Sequence, residues 1–164
     1  MNIAIVGATG NVGRKTLEVL EKKELSINDI YLIASSKSAG KKIRFKGKDH
    51  EVFDLESFDF SKVKITFFAA GGKISEKFAE KAAKHCLVID NSSFYRMDPS
   101  VPLIVPQVNS NHLKNIKKNI IANPNCSTAQ LVIALKPLHD EFVIKRIVVS
   151  TYQSVSGGGK APMD

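Results

Sequence analysis

Residues 7 to 13 read GATGNVG, with three glycines at intervals of three directly after the apolar run NIAIV at 2–6. Chemistry of one kind needs that pattern. A pyrophosphate must come close to backbone N–H groups at a helix N-terminus, and side chains larger than glycine would hold it away. A strand before the turn and a helix after it are the context a dinucleotide site requires. The plainer alternative is a glycine turn serving helix–strand packing alone; the context favours the nucleotide. The end of the second strand then separates the nucleotides. An NAD site usually carries Asp or Glu there, accepting from the ribose hydroxyls. Here the chain reads Ala34-Ser35-Ser36-Lys37-Ser38, without an acid. Hydroxyl donors and a cation suit a 2′-phosphate, so NADP is expected over NAD.

The second chemical candidate is Cys126, in Asn123-Pro124-Asn125-Cys126-Ser127-Thr128 ahead of the apolar stretch AQLVIALKPL. A thiol at a helix start lies where the N–H groups favour the thiolate. Asn125 and the neighbouring amides could hold an oxyanion. Alone, Cys126 is as readily a buried structural cysteine. Joined to a dinucleotide site, it suggests a thioester-forming aldehyde dehydrogenase. Cys86 enters the run CLVID and reads as an inert apolar residue. The thiol needs a base, and the candidates are His50, His85, His112 and His139. His139 lies 13 residues beyond Cys126 on one helix, about 20 Å away at 1.5 Å per residue. The other three occupy polar positions. No residue of this chain is a convincing partner for the thiolate.

These groups need a scaffold, and the composition allows one. The chain has 164 residues, 43% of them hydrophobic and 24% charged, which suits a globular domain with a real core. Its 24 Lys and Arg against 16 Asp and Glu leave a formal charge of +8. Only four of those cations are arginines (Arg14, Arg44, Arg96, Arg146), and tryptophan is absent. Nucleic-acid recognition leans on arginine and on aromatic stacking, so a lysine-rich solvated surface is expected instead. No stretch approaches the roughly 20 apolar residues of a membrane span, and the N-terminus does not read as a secretory signal. With two cysteines, a reducing, cytoplasmic setting is the default. No metal site is expected.

Short apolar runs at 2–6, 30–34, 65–69, 87–90, 103–105 and 120–122 read as strands, and helices are expected over 11–23, 75–85 and 128–138. The alternating segment 43–55 around Lys46-Gly47-Lys48 predicts a hairpin. Apolar strands alternating with helices imply an α/β fold with a doubly wound, Rossmann-type, mostly parallel sheet. Ligands of such sheets bind beyond the strands' carboxyl ends. Residues 143–153 (VIKRIVVSTYQ) read as a strand of a different, antiparallel sheet, followed by a glycine-rich turn. The expected organisation is therefore a dinucleotide-binding domain over 1–125. Residues 126–164 would be the first helix and strand of a second α+β domain.

Five blocks carry a resemblance: GATGNVG at 7–13, ASSKSAGK at 34–41, the run from Asp90 to Asn109 (DNSSFYRMDPSVPLIVPQVN), NPNCST at 123–128 and STYQSVSGGGK at 150–160. In that order they resemble the N-terminal part of bacterial aspartate-semialdehyde dehydrogenases. The resemblance implies that Thr9, Gly10, Asn11 and Val12 hold the NADP pyrophosphate, with Lys37 and Ser38 at the 2′-phosphate. Ala70 and Gly71 would lie along the cofactor, and Ser156 and Gly157 would approach it. Cys126 would be the nucleophile, Arg96 and Asn125 would bind substrate, and Gln153 would orient it. The implied reaction is reductive dephosphorylation of L-aspartyl 4-phosphate to L-aspartate 4-semialdehyde, with release of inorganic phosphate. That step feeds lysine (diaminopimelate), threonine, methionine and isoleucine synthesis. Family members work as homodimers or homotetramers and carry a catalytic histidine and a second substrate arginine further along. Residues 1–164 alone are therefore expected to be inactive. The alternatives are another thiol-dependent acyl-phosphate reductase, of the N-acetyl-glutamyl-phosphate type, or a non-catalytic nucleotide-binding module.

Overall fold

The computed structural model describes residues 1–158. Seven strands form one sheet: β1 (Ile3–Val6), β2 (Ile30–Ala34), β3 (Lys42–Phe45), β4 (Lys48–Asp54), β5 (Ile65–Phe68), β6 (Leu87–Asp90) and β7 (Ile120–Ala122). Their order across the sheet is β3-β4-β2-β1-β5-β6-β7. All neighbours are parallel except the edge hairpin β3–β4, which turns at Lys46 and Gly47, both at positive φ. The doubly wound parallel sheet is thus present, and so is the expected hairpin.

Alternation within the strands explains why both faces are covered. In β1, Ile3 and Ile5 point into one apolar layer while Ala4 and Val6 point into the other. The first layer is closed by α1 (Asn11–Glu21) through Leu17 and Leu20. Burying one such leucine contributes roughly 1.5–3 kcal/mol. The second layer is closed by α2 (Gly72–Ala83) through Phe78, Ala79, Ala82 and Ala83. Val12 and Val19, the other large apolar residues of α1, are 45% and 46% exposed. α1 buries a narrower stripe than its apolar residues suggest.

The strand order reverses at β1, with β2 paired on one side and β5 on the other. Loops leaving β1 and β5 therefore part around a crevice at the sheet's carboxyl edge, where such folds bind ligands.

Two expected strands are absent. Leu103 makes one bridge to Ala122, and the flanking Pro102 and Pro106 lack the donors that would extend it. Residues 143–153 are without ladder pairing. β7 ends the sheet, no other strand among the described residues lies beside them, and an extended segment becomes a strand only with a partner. The helix bounds differ from expectation: α1 stops at Glu21, two residues short, while α2 and the helix at Cys126 start earlier than expected. α2 begins at Gly72, where Gly71 takes a φ of +86° and turns the chain. Beyond α3 (Pro106–Asn109), α4 covers Cys126–Phe142, with Pro137 inside it. No helix among the described residues is long and apolar enough to cross a membrane.

Candidate active site

A cavity of about 700 Å³ lies at the carboxyl edge of the sheet. Thr9, Gly10, Asn11 and Val12 line it from the β1–α1 turn, Ala34 and Ser35 from the end of β2. Ala70, Gly71 and Gly72 line it from the β5–α2 turn. Asn91, Ser92, Ser93 and Arg96 follow from the loop after β6, and Asn125 from the start of α4.

Charge at this cavity has one sign. The N-termini of α1 and α2 carry no side-chain cap and no acid in the first turn. Each leaves early N–H groups without intrahelical partners, and the partial positive ends of both helices face the same space. Arg96 adds a full charge, and among the described residues no acidic side chain lines the cavity. Close approach is built in. A Cβ at Gly13 would sit 2.2 Å from the Gly7 carbonyl oxygen, so α1 packs against the turn as only glycine permits. These features suit a dinucleotide pyrophosphate and a second anion.

The β6 loop is held by a carboxylate. Asp90 is fully buried at the end of β6. Its Oδ1 accepts from Ser75 Oγ at 2.7 Å and Ser92 N at 3.0 Å, and its Oδ2 from Ser92 Oγ at 2.7 Å. Three donors offset a desolvation that would otherwise cost several kcal/mol. Ser92 Oγ in turn accepts from Phe94 N at 3.1 Å, which shapes the approach to Arg96.

At the start of α4, Asn125 is the N-cap, accepting from Ser127 N at 3.0 Å. Its Nδ2 donates to Gln153 Oε1 at 3.5 Å, and the Sγ of Cys126 lies 4.0 Å from its Oδ1. The fold thus brings Gln153 to the adjacent pair Asn125 and Cys126, with Asn125 and Gln153 28 residues apart in the chain. Cys126 is exposed, whereas Cys86 is buried against Thr66, with its Sγ 3.2 Å from the hydroxyl. Burial pushes the Cys86 thiol up, and the Thr66 hydrogen bond offsets part of that. Cys126 should therefore alkylate with iodoacetamide faster than Cys86 near neutral pH, about tenfold or more given thiolate control of reactivity. Peptide mapping reads both rates, and a faster Cys86 would remove Cys126 as the reactive thiol.

Of the other residues singled out in the sequence, Lys37 and Ser38 sit in the 3₁₀ turn just beyond Ser35, outside the cavity lining. Lys37 is exposed and makes no ion pair among the described residues. Ser156 and Gly157 fall in the turn Val155–Gly158, and Ser156 bonds Ser154 at 2.6 Å, away from the lining. Gly159 and Lys160, the end of the last block, lie outside the described residues. The individual readings passed over Asn91, Ser92 and Asn123. Their signal was available: polar residues immediately after apolar strands, at the edge where such sheets bind. Among the described residues no group of three acids, histidines or cysteines is disposed to hold a metal.

Fold and cavity together define a dinucleotide-binding protein of the doubly wound class. Residues 2–116 match the semialdehyde dehydrogenase NAD-binding domain, and residues 135–164 the semialdehyde dehydrogenase dimerisation domain. The chain belongs to the semialdehyde dehydrogenase family. It is 54% identical over 165 aligned residues to the aspartate-semialdehyde dehydrogenase of Rickettsia typhi, covering 99% of this chain and 49% of that protein. The structure of aspartate semialdehyde dehydrogenase II from Vibrio cholerae complexed with ASA superposes with a TM-score of 0.95 at 50% identity, over 99% of this chain and 49% of that one. The Candida albicans aspartate semialdehyde dehydrogenase, solved with NADP, superposes with a TM-score of 0.71 at 31% identity, over 87% and 48%. The chain spans about half the length of the curated relatives it matches.

Proposed function

We propose that this chain carries the cofactor site and the nucleophile of an NADP-dependent aspartate-semialdehyde dehydrogenase. The observation behind the reading is the cavity at the strand reversal, lined by no acid among the described residues, where the starts of α1 and α2 and Arg96 converge a few residues from an exposed thiol. The similarity to relatives of that name supports the same reading.

The residues fit the cofactor. Thr9 to Val12 would hold the pyrophosphate on the first-turn amides of α1, and Ala70 and Gly71 would lie along the rest. Lys37 and Ser38 would meet the 2′-phosphate, while Ser156 and Gly157 would close over the cofactor. NADP, when bound, supplies or accepts the hydride. The chain's own residues do the remaining work. Arg96 offers a planar fork to the phosphate of an acyl phosphate, or to inorganic phosphate. The Cys126 sulfur attacks the acyl carbon; the C–S bond forms as the C–O bond to phosphate breaks, leaving an acyl thioester and free phosphate. Asn125 stands beside the sulfur to steady the oxyanion, and Gln153 orients the substrate. The substrate is L-aspartyl 4-phosphate and the product L-aspartate 4-semialdehyde, at a step that feeds lysine, threonine, methionine and isoleucine synthesis in the cytoplasm. The match to a dimerisation domain supports a homo-oligomer.

Calorimetric titration tests the cofactor half. NADP should bind about tenfold more tightly than NAD, as expected for one charge-assisted phosphate contact. Lys37→Ala should remove most of that difference. Equal affinities in the unaltered chain would overturn the assignment of Lys37.

A further inference from the structure

Arg96 does not reach the cavity as a free side chain. Its Nε donates to the carbonyl oxygen of Asn123 at 3.0 Å, and its Nη2 to that of Asn91 at 3.0 Å. The first carbonyl follows β7 and the second follows β6, so the guanidinium bridges the ends of neighbouring strands. The two acceptor residues are themselves joined, since Asn123 Nδ2 donates to Asn91 Oδ1 at 2.7 Å. Their backbones are anchored in turn: Asn91 N donates to Phe68 O at 2.9 Å and Asn123 N to Asp90 O at 2.8 Å. Two of the three guanidinium nitrogens are thereby spent on main chain. Nη1 has no partner among the described residues, and Arg96 lines the cavity. A planar group held at two corners has its third direction set.

The geometry points to Asn91 and Asn123 as positioning residues, whose side-chain bond holds the two carbonyls in register so that Arg96 presents Nη1 to an anion. Asn123 is also three residues before Cys126, with Pro124 and the N-cap Asn125 between them. One amide–amide bond therefore ties the loop carrying the anion-binding guanidinium to the loop carrying the thiol. Breaking it leaves both residues in place and loosens their relative position, the kind of sub-ångström fault that degrades a site without unfolding it. The inference rests on the reading of Arg96 as an anion-binding group.

The test uses the 164-residue chain saturated with NADP, so that added inorganic phosphate reports on Arg96 rather than on the pyrophosphate cradle. Asn91→Ala and Asn123→Ala should each weaken phosphate binding about fivefold, the size of one lost hydrogen bond. The double variant should be no worse than Asn123→Ala alone, because both singles remove the shared bond and Asn123 adds only a 3.4 Å contact of its Nδ2 to the Pro124 carbonyl. Phenylglyoxal should modify Arg96 severalfold faster in all three, a readout independent of phosphate. Asn119→Asp, which tolerates the position's φ of +54° but has no donor, is the control for stability alone. The Asn119 Nδ2 donates to the Ala83 carbonyl at 3.1 Å, at the far end of α2, so the variant should lower Tm and leave both readouts unchanged. Where an alanine variant does not fold, Asn123→Ser supplies the same comparison. Variants that lose Tm yet keep wild-type phosphate affinity and Arg96 reactivity would overturn the positioning role while leaving Arg96 as the anion group. Equal phosphate binding by the unaltered chain and Arg96→Ala would instead overturn the reading of Arg96 itself, and the inference with it.

Discussion

Gly13→Ala should destabilise the chain by about 3 kcal/mol or more, at the upper end of overpacking costs, and cofactor affinity should fall with it. Helix propensity argues the other way. In a helix interior alanine is favoured over glycine by about 1 kcal/mol, so a measured loss can come only from the tertiary contact. That contact is severe, with the new Cβ 2.2 Å from Gly7 O and 2.8 Å from Ala8 Cα. Both obstructing atoms are backbone and cannot rotate aside. α1 would have to move off the turn, taking the Leu17 and Leu20 packing and the first-turn amides with it. Gly40→Ala provides the contrast. Its φ is +79° and nothing lies within 4 Å of the added Cβ, so only left-handed strain of about 1–2 kcal/mol is expected. Denaturant unfolding of both variants decides the matter. A neutral or stabilising Gly13→Ala would show that α1 does not approach the turn this closely.

The second large effect is an expected absence of turnover. Among the described residues the Cys126 sulfur meets one polar side-chain atom, the Asn125 Oδ1 at 4.0 Å. His139 sits in the last turn of α4, and His50 lies edge-on to Phe45 at 6.0 Å in the β3–β4 hairpin. His85 follows α2, and His112 is in the turn Ser110–Asn115. Positioned acid–base help is worth roughly 10²–10⁴-fold, and none of these histidines is placed to give it. Purified material whose mass matches the 164 residues should bind NADP and alkylate at Cys126. It should produce no NADPH from aspartate semialdehyde and phosphate. NADPH production that vanishes in Cys126→Ala would place the missing base within these residues.

Much of this protein could be read in one dimension. GATGNVG between a five-residue apolar run and an amphipathic segment specifies strand, tight turn and helix. Each is set by neighbours along the chain, through φ preferences, Cβ size and apolar period. The parallel arrangement followed from strands apolar on both faces. The place of Cys126 at a helix start followed from the Asn-Pro-Asn that precedes it. What local pattern could not supply was register between distant segments. Residues 143–153 have the alternation of a strand, yet alternation does not create the partner a ladder needs, and the segment stays unpaired. Arg96 read alone is a surface arginine. It becomes a fixed group only because parallel pairing of β6 with β7 sets Asp90 opposite Ala122, so that Asn91 and Asn123 end their strands side by side, 32 residues apart in sequence. The same holds for the cavity's charge. The starts of α1 and α2 are 61 residues apart, and the pairing of β1 with β5 is what points both at one cavity. Local chemistry decided which residues could act; hydrogen-bond register across the sheet decided which of them meet.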